Sequence, residues 1–106
     1  MKVSSNLDLA IKAALVAGIE ILKIYKSPNF GVEYKSDKSP LTLADKSSNS
    51  VIESVLRTTN IPILSEEGEV LSYEDRKGFN KLWIVDPLDG TKEFIKKNDE
   101  FTVNIA

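Results

Sequence analysis

The junction between Leu82-Trp83-Ile84-Val85 and Asp86-Pro87-Leu88-Asp89-Gly90-Thr91 constrains this chain more than any other stretch. Four consecutive apolar residues, aromatic and β-branched among them, predict a buried strand. The proline restricts the backbone that follows, and two acids flank a turn, so the strand delivers two carboxylates to one place. Both can bind one metal ion. Gly90 permits close backbone approach, and the amides of Gly90 and Thr91 at a following helix start can bind phosphate oxygens without a cationic side chain. The Thr91 hydroxyl can hold a water. In isolation the same residues also read as an ordinary proline turn followed by glycine.

Two further acidic sites share this context. Ile61 to Leu64 predicts a second buried strand, running directly into Ser65-Glu66-Glu67-Gly68-Glu69. Asp45 falls near the start of a predicted helix, three residues after Thr42. Taken alone, Asp45 reinforces that helix cap and the glutamates form a solvated acidic loop. Brought together, these side chains would be a costly cluster of negative charge, which a bound divalent cation would neutralise.

The remaining pattern is mixed α/β. Apolar residues recur at three-and-four spacing from Leu7 to Tyr25, which predicts a core-packing helix with a Ser5/Asp8 capping box and a stop at Ser27-Pro28-Asn29. Val32 to Lys35 has short-strand character, and Ser36 to Pro40 reads as a loop closed by the proline. A second helix is capped by Thr42, carries the stripe Ala44, Val51, Ile52, Val55 and Leu56, and ends near Thr59-Asn60. Leu71 to Asn80 reads as a surface connection or short helix, and Lys92 to Lys97 as a helical stretch. Phe101 to Ala106 alternates as a strand does and stops without a turn residue, so the natural chain is expected to continue beyond it.

Composition narrows the chemistry. The 106 residues contain no cysteine and no histidine, which excludes thiolate and imidazole ligands and the commonest neutral-pH base. Carboxylates, hydroxyls and carbonyls remain, and these hard ligands suit magnesium, calcium or manganese. A formal charge of −2 gives no global basic field for nucleic-acid binding, so an anionic ligand needs local recognition. Lys12, Glu20 and Lys23 interrupt the longest apolar stretch, so no membrane segment or leader is read, and a cytoplasmic location is expected.

The order and setting of these motifs resemble the inositol-monophosphatase-like family of lithium-sensitive phosphatases. The family's acid pair after a strand is similar to Glu66-Glu67, and its longer metal motif to Trp83 through Thr91. Ser39 to Asp45, Pro62 to Glu67, Lys92 to Ile95 and Glu100 to Ala106 resemble its 3′(2′),5′-bisphosphate nucleotidase branch, although Asp99 stands where that branch has a glycine. The resemblance spans nearly the whole chain. It implies an α/β (α+β) fold with two N-terminal helices packed on a largely antiparallel sheet. Residues 1–106 would be the N-terminal, metal-binding part of a layered sugar-phosphatase fold whose C-terminal half is absent.

The resemblance also implies roles. Glu66, Asp86, Asp89 and the backbone carbonyl of Leu88 would bind Mg2+, with Mn2+ as a substitute, and Glu67 would be a neighbour of that metal. Asp45 would lie near a further metal or its water, and Asp45, Glu66 and Thr91 would serve catalysis. Gly90 and Thr91 would contact the phosphate, while Lys35 and Lys38 would steer it or simply be solvated. The implied reaction of a complete protein is hydrolysis of the 3′-phosphate of adenosine 3′,5′-bisphosphate or a related nucleotide, with the fragment itself weak or inactive. Two other readings are an inositol monophosphatase and a noncatalytic metal- or nucleotide-binding fragment that self-associates through an exposed strand edge.

Overall fold

The computed structural model describes residues 5–68 and 72–106. Glu69 and Leu71, read above as the end of the acidic loop and the start of a surface connection, lie outside the described residues. The element order is α1 (Ser5–Tyr25), β1 (Glu33–Tyr34), β2 (Pro40–Leu41), α2 (Leu43–Leu56) with a 3-10 turn at Arg57–Thr59, β3 (Ile63–Ser65), α3 (Tyr73–Arg76), β4 (Trp83–Asp89), α4 (Thr91–Lys96) and β5 (Thr102–Ile105). Ser5 stands within α1 rather than ahead of it.

Helices α1 and α2 lie against each other and cover one face of a three-stranded sheet ordered β3-β4-β5. Ala13 and Ala17 are fully buried, and their small side chains let α2 approach closely, so that Ile52 and Leu56 pack beside them against Trp83 and Val85. Fully burying a side chain of that size stabilises by roughly 1.5–3 kcal/mol. A second cluster of Ile21, Ala44, Leu88 and Phe94 joins the far ends of α1, α2, β4 and α4. The buried face of α1 is therefore Ala13, Ala17 and Ile21, while Leu7, Ile11, Leu15 and Leu22 stay exposed. The apolar sector of α1 is wider than the surface that α2 and the sheet cover.

Pairing is antiparallel for β1-β2 and β4-β5, as expected for a largely antiparallel sheet, but β3 runs parallel to β4. This parallel pair sets Ser65 beside Val85, so both strands deliver their following acids in the same direction. Pro40 opens β2 instead of closing a loop; first-residue and edge positions are where a strand tolerates proline. No helix among the described residues is long and apolar enough to cross a membrane.

Candidate metal and phosphate site

Strand β4 does not end at Val85 but runs on through Asp89, carrying Pro87 inside it. A bulge makes this possible. Asp86 pairs with Asn104 and Asp89 with Thr102, so three steps along β4 face two along β5. In a regular strand, residues three apart point to opposite faces. The extra residue re-aims the chain, and Asp86 and Asp89 line one cavity while Pro87 and Leu88 are buried. The buried Ser48 hydroxyl of α2 donates to the Pro87 carbonyl at 2.7 Å, fixing the bulge to the helix.

Gly90 follows with φ +94°. A β-carbon there would stand 2.8 Å from the Glu100 carbonyl oxygen and 3.3 Å from the Phe101 α-carbon, so both torsion and space demand glycine. Thr91 begins α4, and its hydroxyl donates to Asp45 Oδ1 at 2.9 Å. Asp45 is fully buried, and its Oδ2 accepts from the Thr42 amide and hydroxyl, each at 2.7 Å. The Thr42 hydroxyl in turn accepts from the Ala44 and Asp45 amides, completing a capping box. Asp45 is thus the cap the spacing foretold and also the group that orients Thr91. It stands behind Thr91 and is not part of the cavity wall.

Glu66 and Glu67 turn off the end of β3. The Glu66 amide donates to the Val85 carbonyl at 3.1 Å, tying this turn to β4. Lys35, from the β1-β2 hairpin, reaches across to Glu67 with an Nζ to Oε2 distance of 2.9 Å. Burial works against the charge of Lys35, but the bond to Glu67 and the fields of Glu67, Asp45 and Glu66 outweigh it and raise its pKa. Lys38 occupies the left-handed turn of the hairpin, with φ +70°, and does not line the cavity.

The result is a cavity of about 360 Å³ whose wall includes Lys35, Glu66, Glu67, Asp86, Leu88, Asp89, Gly90 and Thr91. Among the described residues no three carboxylates close into a set that would grip an ion as they stand. What they share is the cavity and one another's field. Burial, then Asp89 and Glu66, push the Asp86 carboxyl above its ordinary value, against a smaller opposing hydrogen bond from the Leu88 backbone. A wall whose ligating side chains are carboxylates and hydroxyls, one of the carboxylates penalised by its like-charged neighbours, fits a hard divalent cation.

Sequence reasoning placed Glu66, Glu67, Asp86, Leu88, Asp89, Gly90 and Thr91, and the structure brings them together. It missed the Lys35–Glu67 pair, the Ser48 clamp and the participation of Ser39, Pro40, Lys92 and Glu93 in the wall. Pro87 in a strand was the available signal for the bulge, since bulges are among the few places a strand admits proline.

The family model for the inositol monophosphatase family matches residues 2–106, and the chain belongs to that family. Within it, the chain is 48% identical over 103 residues to the 3′(2′),5′-bisphosphate nucleotidase CysQ of Buchnera aphidicola, and 47% identical over 103 residues to CysQ of Escherichia coli K12. Each match covers 94% of this chain but only 38% and 42% of the relative, so the chain spans about two fifths of the curated relatives it matches. Among solved structures, CysQ from Bacteroides thetaiotaomicron is 53% identical with a TM-score of 0.83, over 98% of this chain and 38% of that one. The suhB protein of Bartonella henselae is 30% identical with a TM-score of 0.81, over 97% of this chain and 39% of its own.

Proposed function

We propose that this chain is the metal-binding N-terminal portion of a magnesium-dependent 3′(2′),5′-bisphosphate nucleotidase, acting on adenosine 3′,5′-bisphosphate or a related nucleotide. The observation that carries this reading is the shared cavity of Glu66, Asp86, Asp89, Gly90 and Thr91, built at the adjacent ends of parallel strands β3 and β4. The names of the CysQ relatives support the branch. Glu66, Asp86, Asp89 and the Leu88 carbonyl would hold Mg2+ or Mn2+, with Glu67 beside them. When bound, such an ion polarises a phosphoryl group and lowers the pKa of a coordinated water.

The chain's own residues supply positioning. Because the Thr91 hydroxyl donates its proton to Asp45, its oxygen is left to accept a hydrogen bond from a water, which aims that water's lone pair at phosphorus. Glu66 would take the proton that water loses. Backbone amides of Gly90 and Thr91 hold phosphate oxygens, and the rigid α2 cap fixes Asp45 and therefore Thr91. With neither histidine nor cysteine in the chain, its residues can form no phosphohistidine or phosphocysteine intermediate.

Two measurements test the reading. Isothermal titration of the 106-residue chain with Mn2+ should show binding that Asp89→Ala weakens, with little or no phosphate release from adenosine 3′,5′-bisphosphate. A chain extended to the length of its CysQ relatives should release phosphate from that nucleotide in preference to inositol 1-phosphate. Preference for the inositol ester would reassign the substrate within the same family, and robust turnover by the 106-residue chain would refute the division of labour between its two parts.

A further inference from the structure

The glutamate pair does not hold itself in place. The Ser65 hydroxyl, on the last residue of β3, accepts from the Glu67 amide at 3.3 Å and donates to Asn49 Oδ1 on α2. Asn49 Nδ2 donates to Glu53 Oε2 at 2.9 Å, and Arg57 Nη2 donates to Glu53 Oε1 at 2.6 Å. Every hydrogen bond in this chain has its direction fixed by the one before it. The Glu53 carboxylate accepts from Arg57 and from Asn49 alike, so Asn49 must turn its amino group to Glu53 and its carbonyl to Ser65. The Ser65 hydroxyl spends its proton on Asn49 and keeps a lone pair for the Glu67 amide.

The turn also lies tightly over the helix. Gly68 N donates to the Ser65 carbonyl at 3.2 Å, and a β-carbon on Gly68 would stand 3.0 Å from Glu53 Oε2 and 3.2 Å from Ser65 Cβ. Ser65 itself is 8% exposed. No member of the relay lines the cavity except through the glutamates it holds.

We propose that Ser65 and Asn49 are positioning residues that set the divalent-cation affinity of the cavity by fixing the Glu66-Glu67 turn to α2. The inference rests on the reading of that cavity as a cation site and deepens it. Groups that orient metal ligands without touching the metal typically change affinity by roughly 10–100-fold. Loss of the Ser65 hydroxyl frees the Glu67 amide and loosens the part of the turn that the Glu66–Val85 bond does not hold. Loss of the Asn49 amide leaves the Ser65 proton without its acceptor.

The test uses the 106-residue chain and Mn2+ alone, with free ion followed by electron paramagnetic resonance. Native protein should bind; Ser65→Ala and Asn49→Ala should bind roughly ten-fold or more weakly while keeping the native circular dichroism spectrum. Arg57→Ala, which removes only the exposed outer end of the relay, should stay close to native affinity. Folded Ser65→Ala or Asn49→Ala that binds Mn2+ as native does would overturn the inference. A native chain that binds no Mn2+ would instead overturn the cation-site reading beneath it. Should both variants fail to fold, magnesium titration of the native chain by NMR decides. The Asn49 side-chain amide must shift with the same midpoint as the Glu66 and Glu67 backbone amides, and an unmoved Asn49 signal refutes the relay.

Discussion

Gly90 is required on two independent grounds, a left-handed torsion and a carbonyl oxygen where its β-carbon would be. Gly90→Ala should therefore cost at least about 1–3 kcal/mol of stability, the usual range for forcing a side chain into such a conformation, measured by urea denaturation. Asp86 makes the opposite trade. Its folded pKa is raised above the unfolded value, so the native state holds the proton more tightly. Its contribution to stability is present below the unfolded pKa and is lost as pH rises through the folded one. In metal-free protein, Asp86→Asn should raise stability at neutral pH and flatten that acid-side slope, while weakening Mn2+ binding. Equal melting temperatures for the two proteins at pH 7 without metal would contradict this. The identities of these residues were legible because the motif is local. The burial of Asp86, the largest cause of its shift, was not, since it depends on how elements distant in sequence pack around the bulge.

At the scale of elements, the cap of α2 was readable from Thr42 and Asp45 alone, because a capping box is a short-range pattern. Its second use, holding Thr91 across 46 positions of chain, was not. Thr42→Ala removes the cap and one of the donors to Asp45, and should cost about 0.5–2 kcal/mol. It should also lower the melting temperature more than Ser72→Ala, which removes an equivalent box from the short exposed helix α3. The same limit explains the strand errors. Apolar runs revealed β3 and β4, but the parallel direction of their pairing and the bulge in β4 are decided by partners distant in sequence. Asp99 adopts a left-handed φ of +66°, which a glycine would take without strain, and Tyr25 from α1 holds it, donating its hydroxyl to Asp99 Oδ1 at 2.6 Å and accepting from the Asp99 amide at 3.2 Å.

For the molecule as a whole, periodicity gave the helices and strands and the family resemblance implied their layering, but neither told which surfaces the described residues leave open. One face of the sheet is covered by α1 and α2; on the other, Ile84 remains 53% exposed. In the β3-β4-β5 order, β5 is an edge of this sheet. Its partner residues Ala106 and Ile84 exchange both backbone bonds at 2.8 Å, so the alternate residues of β5, Val103 and Ile105, turn their backbone groups away from β4. An edge of this kind is a template for another strand. We predict that the 106-residue chain self-associates at high concentration through β5, seen as a sedimentation coefficient that rises with protein concentration. Thr102→Lys places a charge at that edge on an exposed side chain and should suppress the rise. Association unaffected by Thr102→Lys would move the contact elsewhere, and the exposed Leu7, Ile11, Leu15 and Leu22 stripe of α1 would be the surface to substitute next.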